Sequence, residues 1–201
     1  SMTVDNFFKK FSVGSLLKQA NAYKEKGVPC VKVFKVLFKL VFTGMNLFMN
    51  YETENSDIPF AKDVAYRFLN SMHINWQRFL LLLSAKVINH HIAPLTTDER
   101  ADAFVIDDSF FSRTRSKAVE LLCWVKDHAD GNKNKKGFRM LTLGWTDGNS
   151  FVPVAFNLLS SANSKVRINP ARQCIDKRTV GFKRRQNALT TSPESALSML
   201  K

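Results

Sequence analysis

Apolar residues in the first hundred positions recur at the spacing of amphipathic helices, with polar breaks between them. The pattern predicts four helices, at about residues 15–26, 29–42, 58–70 and 75–92. Gly27 is the expected stop of the first helix, and Pro29 suits the first turn of the second. Ser56 or Asp57 is the expected cap of the third. We therefore predict an all-helical domain over residues 1–100.

The second half of the chain is organised around an apolar run that is followed directly by two acidic residues. Residues 103–106 predict a short buried strand, which Asp107 and Asp108 then end. Side chains alternate across a strand, so the two acids point to opposite faces and one at most faces any given site. Two interpretations stay open: a strand end with a solvated acid, or a strand that delivers a carboxylate to a metal ion.

A hairpin follows further along. Residues 138–145 and 150–159 alternate like strands, and Asp147-Gly148 between them is a strong hairpin signal. Asp147 is therefore expected to be a turn residue, and Pro153 suggests an edge position or a bulge. Residues 118–125 suit a short helix or strand. The polar residues 130–137 predict a turn or mobile loop.

The last residues predict one more helix, with Ser192 as its cap and Pro193 in its first turn. Its apolar face has run for about two turns when the sequence ends at Lys201, and a helix that short is marginal alone. We interpret the sequence as one that is cut inside an element.

Charge narrows the class of partner. The 201 residues carry a net charge of +13, which predicts a polyanionic partner, either nucleic acid or an anionic membrane surface. There is no uncharged apolar run long enough to span a bilayer. Three widely spaced cysteines fit neither a disulfide framework nor a zinc site and suit a reducing cytoplasm.

The residues expected to contact DNA are basic and lie in the third helix, in two polar loops and in the stretch 160–185. Such runs are usually solvated loops, but each phosphate that they neutralise would release counterions. The candidates are Lys62, Arg67, Arg113, Arg115, Lys117, Lys133, Lys135, Lys136, Arg178, Lys183, Arg184 and Arg185.

Several stretches together carry a family resemblance. Residues 63–70, 105–109, 115–117 and 136–149 resemble the N-terminal part of a bacterial insertion-sequence transposase of the cut-and-paste DDE family. The long hairpin segment is the most specific of them. The resemblance implies an α+β protein: an N-terminal helical DNA-binding domain at 1–100, then a partial ribonuclease H-like α/β core at 101–201. That core would hold the first three strands, including the antiparallel hairpin.

The resemblance also implies a site. The first catalytic Asp best matches Asp108, which would bind the metal ion, with Asp107 as the alternative. The implied cofactor is Mg²⁺, with Mn²⁺ as a substitute. The implied partner is double-stranded DNA, at element ends and target, bound by a homodimer in the bacterial cytoplasm at the nucleoid and away from membranes. No strand follows the last helix, so the second Asp and the Glu are missing and we expect an inactive fragment that binds DNA.

Two other functions compete with this one. A non-catalytic DNA-binding regulator could use the N-terminal helices as a helix-turn-helix-like unit. It explains the charge, but not the acid-bearing strand and the hairpin. An RNA-binding or membrane-surface protein is the third alternative. Few aromatic residues interleave with the basic run, which disfavours stacking on single-stranded bases.

Overall fold

The computed structural model describes residues 3–53, 58–97, 100–131 and 133–201. The chain divides into two compact units, residues 1–83 and 84–201. Among the described residues, no helix is long and apolar enough to cross a membrane.

The first unit contains helices α1 Val4–Lys10, α2 Val13–Gln19, α3 Cys30–Leu40, α4 Leu47–Glu52, α5 Lys62–Leu69 and the start of α6, Trp76–Val87. The four predicted helices are confirmed, though each is shorter than expected, and α1 and α4 were not predicted. Pro29 is the N-cap of α3, as its position suggested. The proposed caps Ser56 and Asp57 lie outside the described residues.

Aromatic rings hold the first unit together. Phe34 of α3 lies edge-on to Phe79 at 5.1 Å between ring centroids, and Phe68 of α5 meets Trp76 at 5.3 Å. Such edge-to-face pairs add to the free energy of simple apolar burial. A π-helical turn, Ile88–Ile92, and a short 3-10 turn, Ala93–Leu95, continue α6 into the second unit.

The second unit is built on a four-stranded sheet of β1 Ala103–Ser112, β2 Cys123–Asp127, β3 Lys133–Thr146 and β4 Phe151–Leu159. Each of the other strands pairs antiparallel with β3. Because Gly137 pairs with both Ser112 and Cys123, β1 and β2 flank β3 on opposite sides. By the same reasoning β4 lies on the β2 side, since Arg139 pairs with both Phe110 and Leu159.

The predicted hairpin is confirmed. Asp147 and Gly148 lie in the turn between β3 and β4, where Gly148 has a φ of +87° that glycine adopts readily. The bulge suggested by Pro153 is also present, because Gly144 pairs with Pro153 while Leu143 pairs with Ala155. Val154 is the extra residue.

The loop predicted at 130–137 is wrong. Strand β3 begins at Lys133, and its first five residues pair with β2, so the sheet has one strand more than expected. Lysine-rich residues carry no apolar alternation from which a strand could be predicted. Here the ladder to β2 and an ion pair between Lys135 and Asp127, at 2.9 Å, stabilise the extended conformation.

Strand β1 also departs from expectation. It continues past both acids to Ser112, so that Asp107 and Asp108 lie in mid-strand rather than at its end. It is exposed, with Phe104 63% accessible, and among the described strands it pairs only with β3, so it is an edge strand. Carboxylates in mid-strand are tolerated there because both remain accessible to water, and Asp108 also pairs with Arg139.

Helices α7 Val180–Asn187 and α8 Ser192–Met199 pack against the sheet. Leu143, Trp145 and Val154 form one buried cluster, to which Met199 of α8 adds. A second cluster of Leu121, Leu122 and Phe138 contacts Ala188, next to the end of α7. The predicted cap of α8 is wrong by one residue, since Thr191 caps this helix.

Candidate functional site

The acid pair of β1 is presented on two different faces of the sheet. In the pairing with β3, Asp107 lies opposite Thr142 and Asp108 lies opposite Leu141. Consecutive side chains of a strand point to opposite faces, so the two carboxylates are presented on opposite sides of the sheet.

Asp108 is already ion-paired. Its Oδ2 accepts a hydrogen bond from Nη1 of Arg139, on the neighbouring strand, at 2.8 Å. Nη2 of Arg139 lies 3.3 Å from Nε2 of His128, which follows β2. A cation that bound Asp108 would therefore have to compete with a guanidinium.

Asp107 is exposed, and its carboxylate has no hydrogen-bond or ion-pair partner within the described ranges. An ionised carboxylate is a suitable ligand for a hard divalent cation such as Mg²⁺. No group of three or more His, Cys, Asp or Glu side chains that could hold a metal ion occurs in the part of the chain that the structure describes. The described residues thus offer single carboxylates, and they do not by themselves form a complete metal site.

Among the residues that the structure describes, five of the twelve basic candidates are paired with an acid of the same unit. These pairs are Arg67 with Asp63, Lys133 with Asp130, Lys135 with Asp127 and Asp130, Arg178 with Asp176, and Arg185 with Glu120. Exposed ion pairs contribute little to stability, but they do reduce the charge available to a phosphate.

Some of these pairs shift the pKa of their members. Lys135 lies 2.9 Å from Asp127 and 2.7 Å from Asp130, and its hydrogen bonds lower the pKa of both carboxyls. In return Asp130 and Asp127 raise the pKa of Lys135. The guanidinium of Arg185 likewise lowers the pKa of Glu120. At neutral pH these groups are charged and already compensated.

Other candidates keep an uncompensated charge. The side chains of Arg115, Lys117, Lys136 and Lys183 make no hydrogen bond or ion pair with other described residues. Two more lie over aromatic rings: Lys62 is 4.0 Å from the ring centroid of Phe48, and Arg113 is 4.1 Å from that of Phe111. Lys62 and Arg67 belong to the first unit and the other ten candidates to the second.

Near Lys136 the second unit combines charge with an exposed aromatic ring. The backbone N–H of Arg113 donates to the carbonyl of Lys136 at 2.9 Å, which brings the end of β1 to the start of β3. Trp124 lies directly opposite Lys136 on β2 and is 46% exposed. Residues 118–125 were expected to form a short helix or strand, and the strand is present as β2. Trp124 had no role assigned from the sequence, because its position opposite Lys136 depends on the strand register.

Arg139 and His128 were also missed. Both lie near Asp108 only because β1 and β2 pair with β3 in this register. Arg139 stands two positions from the residue opposite Asp108, a diagonal that long side chains can bridge. The sequence showed only that Arg139 is a charged residue within a predicted strand. Without the strand register, its ion pair with Asp108 could not be predicted.

The fold and this site define a class: a basic protein of mixed helix and antiparallel sheet, whose edge strand exposes adjacent carboxylates. The family model described as DDE superfamily endonuclease matches residues 53–200, which is most of the chain. The chain belongs to this family. No curated protein and no solved structure matches it.

Membership of this family supports an enzyme of the nuclease or transposase type that acts on DNA. DDE endonucleases typically use divalent metal ions.

Proposed function

We propose that the chain is part of a DDE transposase of a bacterial insertion sequence, which cleaves and joins DNA strands with Mg²⁺. The family match over residues 53–200 carries this proposal. When bound, the divalent ions of such enzymes stabilise the attacking and leaving oxygens of a phosphodiester. A homodimer on paired DNA ends, in the bacterial cytoplasm, belongs to the same proposal.

The sheet supports a ribonuclease H-like core. Strands β1, β3 and β4 form a continuous antiparallel arrangement in which the first strand carries the acids and the hairpin supplies the next two. The short β2 is an additional strand, which in the sequence comes between the first strand and the hairpin. The helical domain over 1–100 and the catalytic domain over 101–201 remain the proposed functional division, with DNA contacts from both.

We assign the metal-binding carboxylate to β1 and leave the choice of acid to experiment. The family resemblance favours Asp108, with Asp107 as the alternative. The ion pair with Arg139 counts against Asp108, and the exposed carboxylate counts in favour of Asp107. Because β1 presents one carboxylate to each face, we propose that these 201 residues alone bind DNA and do not cleave it.

Binding of Mn²⁺, a paramagnetic substitute for Mg²⁺, identifies the acid. We expect Mn²⁺ to broaden the amide signals around the carboxylate that binds it. One of the two substitutions, Asp107→Asn or Asp108→Asn, should lower the Mn²⁺ affinity at least tenfold, and the other should lower it less. Asp102→Asn is the matched control, since it removes an exposed acid just before β1. If neither substitution in β1 changes Mn²⁺ binding, the assignment to this strand is wrong.

Cleavage of end-labelled duplex DNA with Mg²⁺ or Mn²⁺ tests the second half of the proposal. We expect retention of DNA without cutting. Metal-dependent cutting that is lost in Asp107→Asn or Asp108→Asn, and kept in Asp102→Asn, would show that the chain is active by itself.

A further inference from the structure

An open cleft of about 350 Å³ lies on the sheet of the second unit, beside α7. Its walls are mostly apolar and include the rings of Phe111, Phe138 and Phe156, with Leu121 and Leu158. A cleft of this size suits a small ligand or one unit of a polymer. Flat aromatic walls favour a planar group, because a ring stacks on them or meets them edge-on.

Two adjacent arginines line the cleft, and within the described residues Arg185 has an acidic partner whereas Arg184 has none. Arg185 donates to both carboxylate oxygens of Glu120, at 2.7 and 2.9 Å. Arg184 has no acidic partner among the described residues. Its Nη1 donates to Oδ1 of Asn157 at 2.6 Å and its Nη2 to the carbonyl of Phe156 at 3.0 Å.

Arg184 is held in place by a chain of neutral groups. The other end of the Asn157 amide, Nδ2, donates to Oγ of the buried Ser195 at 2.6 Å, which orients Oδ1 toward the guanidinium. Burial lowers the pKa of Arg184 to about 10, so that it still carries its charge at neutral pH. A partly buried charge without a counterion is costly, and an anion in the cleft would offset that cost.

A second cation stands at the cleft. Arg113 lies over the ring of Phe111, and its Nη1 donates to the carbonyl of Ser112 at 3.1 Å. Like Arg184, it has no acidic partner in the described ranges. The cleft therefore combines apolar aromatic walls with two uncompensated guanidinium groups, which complement an anion attached to a planar ring.

The register places the aromatic wall of the cleft on a known face of the sheet. Phe156 lies opposite Thr142, and Thr142 lies opposite Asp107. Phe111 is also on the Asp107 face, because it lies four positions further along β1. By ordinary sheet geometry the backbone of Phe156 is two strand spacings, about 10 Å, from that of Asp107. The aromatic wall formed by Phe111 and Phe156 is therefore on the Asp107 side, whereas Asn157, which lies opposite Leu141 and holds Arg184, is on the Asp108 side.

We propose that this cleft binds one nucleotide unit, with the base against the phenylalanine rings and the phosphate at Arg184 and Arg113. The choice of a nucleotide rests on the proposed action on DNA, and the anion-plus-ring chemistry rests on the cleft alone. The unit is either a free mononucleotide or an unpaired nucleotide of a DNA strand.

Calorimetric titration of the whole chain with deoxyadenosine monophosphate, deoxyadenosine and inorganic phosphate tests the chemistry. We expect the mononucleotide to bind at least tenfold more tightly than either of its parts, because ring and anion are recognised together. Binding no tighter than that of inorganic phosphate would overturn the proposal.

Fluorescence of a DNA duplex that contains one unpaired 2-aminopurine distinguishes the two sources. Stronger binding and a larger intensity change than for the same duplex with the 2-aminopurine paired would support a nucleotide of the strand. A response to free mononucleotide, without any preference for the unpaired duplex, would support a free mononucleotide.

Substitutions assign the effect to the cleft. We expect Arg184→Gln, which removes the guanidinium charge and keeps a polar side chain, to weaken mononucleotide binding at least tenfold. Arg113→Gln should also weaken mononucleotide binding, and because Arg113 is exposed this substitution should leave the fold intact. Circular dichroism shows whether either variant is misfolded. Arg178→Gln is the matched control, because that arginine pairs with Asp176 and does not line the cleft.

The two proposals fail separately. Normal binding of fully paired duplex, together with mononucleotide binding unchanged by Arg184→Gln and Arg113→Gln, would overturn the cleft proposal alone. Loss of duplex binding, with mononucleotide binding that still depends on Arg184, would overturn the DNA function and leave the cleft as a mononucleotide site.

Discussion

Asp147 shows how one side chain stabilises the central hairpin. Its Oδ1 accepts hydrogen bonds from the backbone N–H groups of Asn149, at 3.1 Å, and Ser150, at 2.6 Å. Its Oδ2 accepts from the hydroxyl of Thr96 at 2.9 Å, and Arg100 lies 3.7 Å away. A carboxylate that accepts several such bonds is stabilised in its charged form. The hydrogen bond from Ser150 is the main cause of the lowered pKa of Asp147.

We predict that Asp147→Asn lowers stability at neutral pH and that this difference from the wild type shrinks in acid, once the pH falls below 3.8. A lowered pKa in the folded state means that the carboxylate contributes fully above its unfolded pKa. The contribution is lost as the pH falls below the ordinary value of 3.8 toward the lowered one. Urea denaturation of both proteins between pH 7 and pH 3 measures it. A difference that grows toward acid would contradict this explanation.

Helix α8 begins at a capping box rather than at the serine that the sequence suggested. The hydroxyl of Thr191 accepts from the backbone N–H of Glu194, and the Glu194 carboxylate accepts from the backbone N–H of Thr191 at 2.9 Å. These bonds satisfy backbone donors that the first turn of a helix leaves free.

We predict that Thr191→Ala lowers the free energy of unfolding by about 1 kcal/mol, the usual cost of losing an N-cap. Ser192→Ala is the control and should cost distinctly less, because Ser192 lies inside the helix. Thermal denaturation of the two variants compares them. The reverse order of stabilities would show that the helix begins at Ser192.

The apolar side chains of the edge strand β1 and the central strand β3 differ in burial. Leu143 of the central β3 is 3% exposed and belongs to the buried cluster with Trp145. Phe104, opposite Trp145 on the edge strand β1, is mostly exposed. Position within the sheet therefore decides how much each apolar side chain contributes to stability.

We predict that Leu143→Ala lowers the free energy of unfolding by about 2–5 kcal/mol, because it removes apolar contacts and leaves a cavity. The matched Phe104→Ala should change it by roughly 0.5 kcal/mol, as surface substitutions do. Chemical denaturation monitored by tryptophan fluorescence measures both. Similar losses for the two variants would mean that β1 is buried in solution.

At the scale of the whole molecule, the net charge of +13 overstates the charge that is available to DNA. Several lysines and arginines are paired with acids within their own unit, whereas Arg115, Lys117, Lys136 and Lys183 have no acidic partner in the described part of the chain. Electrostatic affinity for DNA depends on the number of phosphates that are neutralised, and so on the unmatched side chains first.

We predict that duplex DNA affinity falls steeply with salt and that Lys136→Gln reduces the slope of log K against log salt by about 1, the loss of one phosphate contact. Lys133→Gln should reduce the slope less, because Asp130 already offsets that charge at 3.1 Å. Fluorescence anisotropy at several salt concentrations gives both slopes. A slope unchanged by Lys136→Gln would exclude this lysine from the interface.

The local features of this protein were determined by its sequence. Asp147-Gly148 specifies the hairpin turn, Pro29 the start of α3, and the alternation of strand side chains separates Asp107 from Asp108. These features depend on neighbouring residues, so that short-range patterns are sufficient to predict them.

Only the tertiary structure decided which charges are compensated and which strands are exposed. Asp108 meets Arg139, 31 positions away, and Arg185 rather than Arg184 meets Glu120. The lysines at the start of β3 are extended because β2 pairs with them. Strand register and helix packing bring together residues that are far apart in the chain, and no local pattern encodes these contacts.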